Sequence, residues 1–313
     1  GTQKALDLVA DLTEQDTVLF LLSGGGSALF EKPLVDGEVL QDITKKLLAR
    51  GADITEINTI RKRLSMVKGG RFAAHCAPAR VEAIILSDIL GDPVDMIASG
   101  PAAADSATTA DAKRIAAKYG VDDREEVRAL LERETPKEVP NVHTQIIGSV
   151  RELCRAAEKA AREKGYECVF LSDHLDGEAS DTGRWMAQQL KKYAGCGRKI
   201  ALLAGGETVV HLKGNGLGGR NQELALAAAE ILDGIPNAAF ISVGSDGTDG
   251  PTDAAGGYAD SDTVRELNAK GMDIRAYLDN NDAYHALQAV ENLIITGPTG
   301  TNVNDVTVGL IWG

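Results

Sequence analysis

The sequence predicts an α/β protein with two domains, each built on a mostly parallel or mixed sheet flanked by helices. Three observations support this fold class. Short apolar stretches alternate with amphipathic helical stretches along the whole chain. Glycine-rich turns follow several of the apolar stretches, at the strand ends where sheets of this kind gather ligands. Finally, 313 residues are enough to form two separate hydrophobic cores.

The predicted strands are short apolar runs, and the predicted helices have apolar residues at helical spacing. Strands are expected at Val18–Leu22, Val81–Ser87, Thr144–Ile147, Cys168–Leu171, Ile200–Ala204, Ala238–Val243 and Leu293–Thr296. Helices are expected at Leu40–Arg50, Thr109–Tyr119, Arg151–Lys164, Asp181–Tyr193 and Asn221–Leu232. The first strand is a continuous apolar run, which is typical of a strand that is fully buried.

A domain boundary is predicted between residues 195 and 196, in a glycine-containing segment between a helix and the next strand. The two domains then comprise residues 1–195 and 196–313. Near the end of the chain, a glycine-rich turn separates Leu293–Thr296 from Val306–Trp312, and this pattern predicts a hairpin. The second sheet is therefore expected to be mixed.

The charge balance limits the partners that the protein can have. A formal net charge of −13 at pH 7 argues against nucleic acid and anionic membranes. No apolar run reaches the length of a membrane span, and no secretory signal opens the chain. Its four cysteines lack the Cys-x-x-Cys spacing of metal or redox sites. These features favour a cytoplasmic protein with reduced thiols.

The turn after the first strand is the first candidate site. Its residues are Ser23, Gly24, Gly25, Gly26 and Ser27. None has a bulky side chain, so the backbone N–H groups of the turn are free to converge on an anion such as phosphate. A plain tight exit from the strand would suit the same residues, and the sequence does not distinguish the two alternatives.

A second candidate lies where Arg220 and Asn221 begin an alanine-rich helix after two glycines. A cation is electrostatically unfavourable at the positive end of a helix, so binding of a phosphoryl group or carboxylate is favoured over a plain exposed arginine. Residues 214–219 also fit the dinucleotide-binding fingerprint formally. No apolar strand precedes this match, and no acidic residue follows at the expected spacing, so a dinucleotide site is kept only as the alternative.

Two aspartates, Asp246 and Asp249, follow a predicted buried strand in a loop rich in glycine. Carboxylates placed in this way can hold Mg²⁺ while water and phosphate oxygens complete the octahedron. The equally weighted alternative is that these residues form Asx turns, which need aspartate and glycine for their backbone angles.

Two more polar segments are candidates for binding. Thr301, Asn302 and Asn304 follow another predicted strand, where short polar side chains could bind a substrate hydroxyl or phosphate, or hold a tight turn. Arg61 and Lys68 lie in a basic segment, residues 58–71, that stands out in an acidic chain. One or both are candidates for binding the negative charge of a small substrate.

Taken in order, these segments resemble the glycerate 2-kinase family, whose members end in a MOFRL domain. The resemblance covers nearly the whole chain and is carried by Leu22–Leu29, Asn58–Arg71, Ser87–Asp88, Ala98–Pro101, Gly205–Thr208, Gly218–Glu223, Ser245–Gly257 and Gly297–Asp305. It implies that ATP and Mg²⁺ are used to phosphorylate D-glycerate at its 2-hydroxyl. It also implies two Rossmann-like domains with the active site in the cleft between them.

The resemblance further implies roles for individual residues. Arg220 corresponds to a residue proposed to be catalytic in the family, and Glu207 joins the residues expected to bind substrate or phosphate. Family members also have an amino-terminal glycine-rich turn with a second catalytic residue, a lysine. The chain starts after the position of that turn, so we expect either a fragment or a chain whose amino terminus has been omitted.

Two alternative functions stay open at this point. One is an NAD(P)H-dependent hydroxypyruvate reductase, a label that proteins resembling this family often carry. The other is a truncated chain that only binds an anionic metabolite. A homodimer also stays open.

Overall fold

The structure is a computed structural model that describes residues 1–23 and 25–313. The chain forms two compact units, Gly1–Ile147 and Gly148–Gly313. Each unit contains a sheet and flanking helices, so the predicted α/β fold class with two domains is confirmed. Among the described helices, none combines the length and the apolar character needed to cross a bilayer.

The first unit contains a sheet with the strand order β1-β2-β3. Its strands are β1 (Thr17–Leu22), β2 (Arg80–Leu86) and β3 (Val142–Gly148). Its α-helices are α1 (Thr2–Leu8), α2 (Gly26–Leu29), α3 (Gly37–Ala49), α4 (Ile54–Arg63), α5 (Arg71–Cys76), α6 (Thr109–Tyr119) and α7 (Glu125–Leu131). A single 3₁₀ turn at Ile97–Ser99 follows β2 in the described chain.

The helices of the first unit begin where short polar side chains cap them. Asp53 and Glu56 form a capping box at the start of α4, and Thr108 and Asp111 form another at α6. The apolar faces of α3, α4, α6 and α7 then pack into one core around Leu47. A second core next to β1 holds three phenylalanine rings, Phe20, Phe30 and Phe72.

Strand β1 is buried on one face only. It lies at one edge of the described sheet, where it pairs in parallel with β2. Successive side chains of a strand point to opposite faces. Leu22 therefore lies in the core, whereas Leu19 and Leu21 are 61% and 67% exposed. The expectation of a fully buried first strand is wrong, because an unbroken apolar run does not show whether both faces of its strand are covered.

The second unit contains a sheet with the strand order β4-β5-β9-β6-β7-β8. Its strands are β4 (Glu167–Leu175), β5 (Ile200–Gly206), β6 (Ala238–Gly244), β7 (Gly256–Asp260), β8 (Leu293–Ile294) and β9 (Asp305–Ile311). Its helices are α8 (Val150–Glu163), α9 (Ala179–Lys191), α10 (Arg220–Leu232), α11 (Thr263–Ala269), α12 (Ile274–Asp279) and α13 (Ala283–Ala289).

The second sheet is mixed, as predicted, but the predicted hairpin between its last two strands is wrong. β4 and β5 are parallel, whereas β9 runs antiparallel to both β5 and β6 and lies between them. β8 pairs with β7 instead of β9. A central position buries β9 from both sides, and this gain outweighs the local preference of the glycine-rich turn for a hairpin.

The two compact units divide earlier in the chain than residues 195 and 196. The reason is that β4 precedes that point yet pairs with β5 beyond it, for example Cys168 with Ala201. β4 therefore belongs to the second sheet. As a boundary between family domains, the division into residues 1–195 and 196–313 stays a prediction.

Helix α10 forms the centre of the second core. Its residues from Leu224 to Ala229 are at most 1% exposed, and it contacts α9, β6, β7 and α13. A Cβ atom at Gly183 of α9 would lie 2.2 Å from the carbonyl oxygen of Leu224. The small residues of both helices therefore permit a close approach of their backbones, which holds the start of α10 in a fixed place.

Candidate functional site

Residues of the first unit form a cluster around the carbonyl oxygen of Ser27, called here the Ser27 cluster. Ser27 lies in α2, directly after the turn that follows β1. Its carbonyl oxygen accepts hydrogen bonds from Arg61 Nη2 at 2.8 Å and Lys68 Nζ at 3.0 Å. The carboxylate of Glu31 lies 3.8 Å from Arg61 and 3.9 Å from Lys68. The structure thus brings together residues from two candidate segments, Ser27 from the glycine-rich turn and Arg61 and Lys68 from the basic segment.

Lys68 is fully buried at the base of this cluster. Besides the carbonyl oxygen of Ser27, its ammonium group donates to that of Ala98 at 3.1 Å. Burial lowers the pKa of Lys68 to about 8, Glu31 opposes this shift, and Arg61 adds to it. Lys68 therefore joins two backbone turns through these hydrogen bonds. Binding of a substrate carboxylate by Lys68 or Arg61 stays a prediction.

The second of these turns has a strained backbone. Ala98, Ser99 and Gly100 have φ values of 50°, 62° and 64°, a left-handed region that costs energy for alanine and serine. Hydrogen bonds from Gly69 N to Ser99 O and from Gly70 N to Gly100 O stabilise this conformation. Strained backbone of this kind concentrates at functional sites, and here it lies directly against the predicted anion-binding turn.

The contact between the two turns explains the glycine at position 26. A Cβ atom there would lie 2.9 Å from the Cβ of Ala98. Gly25 has a φ of 85°, which favours glycine. Both glycines are thus required by the fold, while the exposed side chains of Ser23 and Ser27 are available to a ligand. Gly24, also predicted to bind phosphate, lies outside the described residues.

Residues of the second unit form another cluster, called here the Arg220 cluster. Arg220 is the first residue of α10, and its guanidinium makes a two-pronged contact with Asp305, from Nε at 2.6 Å and from Nη2 at 3.0 Å. Its Nη1 atom lies 3.0 Å from Glu207 Oε1. The carboxamide of Asn304 donates to the other oxygen of Glu207 at 3.5 Å. Two carboxylates, those of Asp305 and Glu207, therefore contact one guanidinium group, and Asn304 contacts one of these carboxylates.

Asp249 caps helix α10 from the interior of the protein. Its carboxylate accepts hydrogen bonds from Asn221 N at 3.1 Å and Gln222 N at 2.8 Å. These are the amides that would otherwise face an anion at this helix end. The residue is only 2% exposed, and burial raises the pKa of its carboxyl to about 6. The structure gives Asp249 a capping role, and its role as a metal ligand stays a prediction.

The side chain of Asn221 is enclosed in the same region. Its Oδ1 atom accepts a hydrogen bond from Ser242 Oγ at 2.6 Å, and the residue is 1% exposed. These contacts join the start of α10 to β6. A direct contact of Asn221 with substrate stays a prediction.

Asp246 lies close to the Arg220 cluster and is half-buried. One of its oxygens accepts a hydrogen bond from Thr248 N, the Asx turn that the sequence left open as an alternative. A Cβ atom at Gly244 would lie 3.1 Å from Asp246 Oδ1 and 3.4 Å from Asp305 Oδ1. The carboxylates of Asp246 and Asp305 therefore both lie next to Gly244. Within residues 1–23 and 25–313, no group of three or more His, Cys, Asp or Glu side chains forms a ready metal site.

The loop before β9 is tied to the loop that holds Asp246. Asn304 has a φ of 66°, and its carbonyl oxygen accepts a hydrogen bond from Ser245 N. Asn302 caps Asn304 N at 3.2 Å and Thr301 N donates to Thr299, so both residues stabilise the loop itself. Of the three predicted residues, Asn304 is the one whose side chain reaches the Arg220 cluster.

With this geometry established, the chain can be compared with known proteins. Residues 1–132 match a family model described as a domain of unknown function, DUF4147, and residues 200–305 match the MOFRL family. A D-glycerate 2-kinase of Thermotoga maritima is 53% identical over 316 residues, which cover 99% of this chain and 76% of the relative. A glycerate 2-kinase of Pyrococcus horikoshii is 41% identical and is matched over 99% of this chain and 74% of its own length.

The chain belongs to the glycerate 2-kinase family. A crystal structure of a glycerate kinase from Thermotoga maritima superposes with a TM-score of 0.96 at 53% identity, covering 99% of this chain and 76% of that one. The family resemblance that the sequence motifs indicated is confirmed.

The glycerate 2-kinase fold also explains the glycine-rich stretch 214–219 that fits the dinucleotide fingerprint. Gly214 N donates to Asn281, Gly216 N to Asn280 O and Leu217 N to Asp282. A Cβ atom at Gly214 or Gly216 would lie 2.4 Å from atoms of this same connection between α12 and α13. These glycines therefore serve close packing, and their amides are not free to bind a pyrophosphate.

Sequence reasoning missed two acidic residues that belong to the two clusters. Asp305 is 5% exposed at the start of the apolar strand β9, and Glu31 lies just after α2. An aspartate that directly precedes a buried strand is an unusual position for a charge, and this could have drawn attention to Asp305. No comparable signal marks Glu31, because its contacts with Arg61 and Lys68 arise only in the folded chain.

Proposed function

We propose that the protein is a glycerate 2-kinase that transfers the γ-phosphoryl group of ATP to the 2-hydroxyl of D-glycerate with the help of Mg²⁺. The observation that carries the proposal is the identity of 53% with the D-glycerate 2-kinase of Thermotoga maritima over 99% of this chain. The Arg220 cluster supports it, because phosphoryl transfer depends on positioning and on neutralising charge.

Arg220 is the candidate for stabilising negative charge on the transferring phosphoryl group. Its guanidinium is 33% exposed, so a ligand can reach it, and the two-pronged contact with Asp305 fixes its plane. Glu207, at 48% side-chain exposure, is the partner that a phosphoryl oxygen could replace. Catalytic arginines of this kind contribute roughly 10³-fold or more to the rate of phosphoryl transfer.

The charges of the Arg220 cluster favour a phosphate that arrives with Mg²⁺. One guanidinium faces the carboxylates of Asp305 and Glu207, with Asp246 close by, so the cluster repels a bare phosphate. Mg²⁺ needs only one or two carboxylates when nucleotide phosphates and water supply the other ligands. Asp246 fits this role better than Asp249, whose oxygens are already used by the amides of α10. When bound, Mg²⁺ neutralises phosphate charge.

The turn at residues 23–27 is the candidate for binding a second anionic group, the glycerate carboxylate or a phosphate. Arg61 and Lys68 bind the carbonyl side of this turn, and their charge makes the turn attractive to an anion. Ser23 and Ser27 offer exposed hydroxyl groups. A cytoplasmic location is a further part of the proposal and rests on the cysteine spacing, which is typical of reduced thiols. A homodimer is proposed as well.

An assay of ADP release tests the proposed function. The full gene product is incubated with ATP, Mg²⁺ and D-glycerate, and the product is passed to enolase, which consumes 2-phosphoglycerate but not the 3-phosphate. We expect ADP release that depends on D-glycerate and a product that enolase consumes. Oxidation of NADH by hydroxypyruvate without ATP would instead favour the reductase. Calorimetric binding of glycerate without ADP release would favour a binding protein.

A further inference from the structure

Two cations of the Ser27 cluster converge on one backbone oxygen. Arg61 Nη2 and Lys68 Nζ both donate to the carbonyl oxygen of Ser27, at 2.8 Å and 3.0 Å, so the two charged nitrogens lie close together. A carbonyl group carries no net charge, and like charges at short range repel each other. Lys68 is fully buried, so solvent weakens this repulsion little. The arrangement therefore needs a negative charge nearby that holds both cations in place.

Glu31 supplies this negative charge. Its Oε2 atom lies 3.8 Å from Arg61 Nη2 and 3.9 Å from Lys68 Nζ, the same two nitrogens that donate to the carbonyl oxygen of Ser27. The oxygen is thus almost equally far from the two cations. It is buried and accepts no hydrogen bond from any residue within 1–23 and 25–313. What Oε2 contributes to the cluster is therefore its charge.

The other oxygen of Glu31 fixes the place of this charge. Oε1 accepts hydrogen bonds from Ser65 Oγ at 2.5 Å and from Lys32 N at 2.9 Å. The buried hydroxyl group of Ser65 also accepts hydrogen bonds from Val67 N and Lys68 N, each at 3.3 Å. One hydroxyl group therefore connects the carboxylate of Glu31 to the backbone of Lys68, and this connection holds the carboxylate beside the cluster.

We infer that Glu31 is a positioning residue for the Ser27 cluster. Its carboxylate holds the two cations against the carbonyl oxygen of Ser27 and thereby stabilises the turn at residues 23–27 in a form that binds an anion. The inference rests on the proposed function for the identity of that anion, the glycerate carboxylate or a phosphate. It gives a carboxylate a supporting part in binding a negatively charged substrate, which is the opposite of what its charge alone would do.

The ionisation of Lys68 also depends on Glu31. Burial lowers the pKa of Lys68 to about 8, Glu31 opposes this shift, and Arg61 adds to it. In the described part of the chain, these two side chains are the charged groups that face the ammonium group. Removing the charge of Glu31 should therefore lower the pKa of Lys68 further, so that Lys68 loses its proton at a lower pH.

Glu31→Gln tests the inference, because glutamine keeps the shape of the side chain but loses its charge. Glu132→Gln is the matched control, since Glu132 is 64% exposed in the same unit and pairs with Lys113. ADP release is measured for the full gene product and both variants at about pH 6, where Lys68 is protonated. We expect KM for D-glycerate to rise at least about threefold in Glu31→Gln and to change by less than about twofold in Glu132→Gln. An unchanged or lower KM in Glu31→Gln would overturn the inference.

The titration of Lys68 is a second readout, and it does not require catalysis. In protein with isotope-labelled lysine, the side-chain signal of Lys68 is assigned by its loss in Lys68→Met and followed by NMR between about pH 6 and about pH 10. We expect the midpoint to lie about one pH unit lower in Glu31→Gln than in the unaltered protein, and to stay unchanged in Glu132→Gln.

The two readouts separate the inference from the proposed function. A merely structural role of Glu31 would leave the midpoint of Lys68 unchanged in Glu31→Gln, and this result would overturn the inference. A lower midpoint in a protein that releases no ADP with D-glycerate would support the positioning role of Glu31 and would contradict the proposed function alone.

Discussion

The Ser27 cluster and the Arg220 cluster both place cations beside glycine-rich turns, but they give these cations different partners. Lys68 and Arg61 donate to the backbone carbonyl oxygen of Ser27, and a carbonyl group neutralises none of their charge. Arg220 instead contacts two carboxylates, those of Asp305 and Glu207. The one carboxylate of the first cluster, Glu31, lies 3.8 Å from Arg61 and 3.9 Å from Lys68 and offsets only one of their two charges, so that cluster keeps a positive charge, whereas the second is negative overall.

This difference indicates that the two clusters have different roles in binding and catalysis. Cations that bind carbonyl oxygens fix the shape of a turn and make it attractive to an anion. A cation fixed by carboxylates is held in one orientation, and the surplus negative charge suits phosphates that carry Mg²⁺. We therefore expect changes in the Arg220 cluster to lower kcat and changes in the Ser27 cluster to raise KM.

The largest expected effect is that of Arg220→Ala in the full gene product. Removing the guanidinium withdraws charge stabilisation from the transferring phosphoryl group, so we expect kcat to fall about 10³-fold or more. Arg184→Ala is the matched control, because Arg184 is 34% exposed in the same unit and also pairs with a carboxylate, that of Glu230. ADP release measured for both variants checks the prediction. An Arg220→Ala rate within a few-fold of the Arg184→Ala rate would contradict it.

The next effect concerns pH and the buried cap of α10. Burial raises the pKa of Asp249 to about 6 from the value of 3.8 expected for an unfolded chain. The folded protein therefore binds this proton more tightly, and Asp249 should make folding more favourable as the pH falls from about 6 towards 3.8.

The expected gain is at most about 3 kcal/mol in the free energy of unfolding, given the size of the pKa shift. Urea unfolding of the protein and of Asp249→Asn between about pH 4 and about pH 7 isolates this contribution, because other titrating groups are common to both chains. A difference between the two chains that does not change with pH would show that Asp249 does not titrate in this range.

A smaller effect is expected for Asp305→Asn. The amide keeps the shape of the side chain but loses the charge that holds Arg220 in its plane, and a misplaced catalytic group can cost up to about 10²-fold in rate. We expect kcat to fall between about 10-fold and 10²-fold while KM for D-glycerate stays within about threefold. Steady-state kinetics separates the two parameters. A rise in KM with unchanged kcat would place Asp305 in substrate binding instead.

The smallest effect is expected for Lys68→Met in the Ser27 cluster. Methionine fills the buried space but cannot donate to the carbonyl oxygens of Ser27 and Ala98, so the turn at residues 23–27 loses its support. We expect KM for D-glycerate to rise about tenfold with a smaller change in kcat, because ground-state binding is affected more than the transition state. A fall in kcat with unchanged KM would contradict the assignment of the Ser27 cluster to substrate binding.

The sequence was sufficient for the features that local patterns determine. Alternating apolar runs and amphipathic stretches located the start of α10 within one residue, and the misplaced cation at that helix end singled out Arg220. Such signals lie within a few residues of the feature that they predict.

The features that the sequence could not give depend on contacts across long stretches of chain. Asp246 and Asp249 have the same surroundings in the sequence, yet Asp249 caps α10 and Asp246 does not. The insertion of β9 between β5 and β6, and the exposure of Leu19 and Leu21, are likewise decided by which element packs on which. The contact of Arg220 with Asp305 joins residues 85 positions apart, and nothing in the sequence next to either residue indicates it.

A double-mutant cycle of Arg220→Ala and Asp305→Asn tests most directly whether Asp305 acts by holding Arg220. If it does, Asp305→Asn has nothing left to disturb once the guanidinium is gone. We predict that kcat of the double variant lies within about twofold of kcat of Arg220→Ala alone. Losses that multiply, so that Asp305→Asn costs as much in the Arg220→Ala background as in the unaltered protein, would contradict the account.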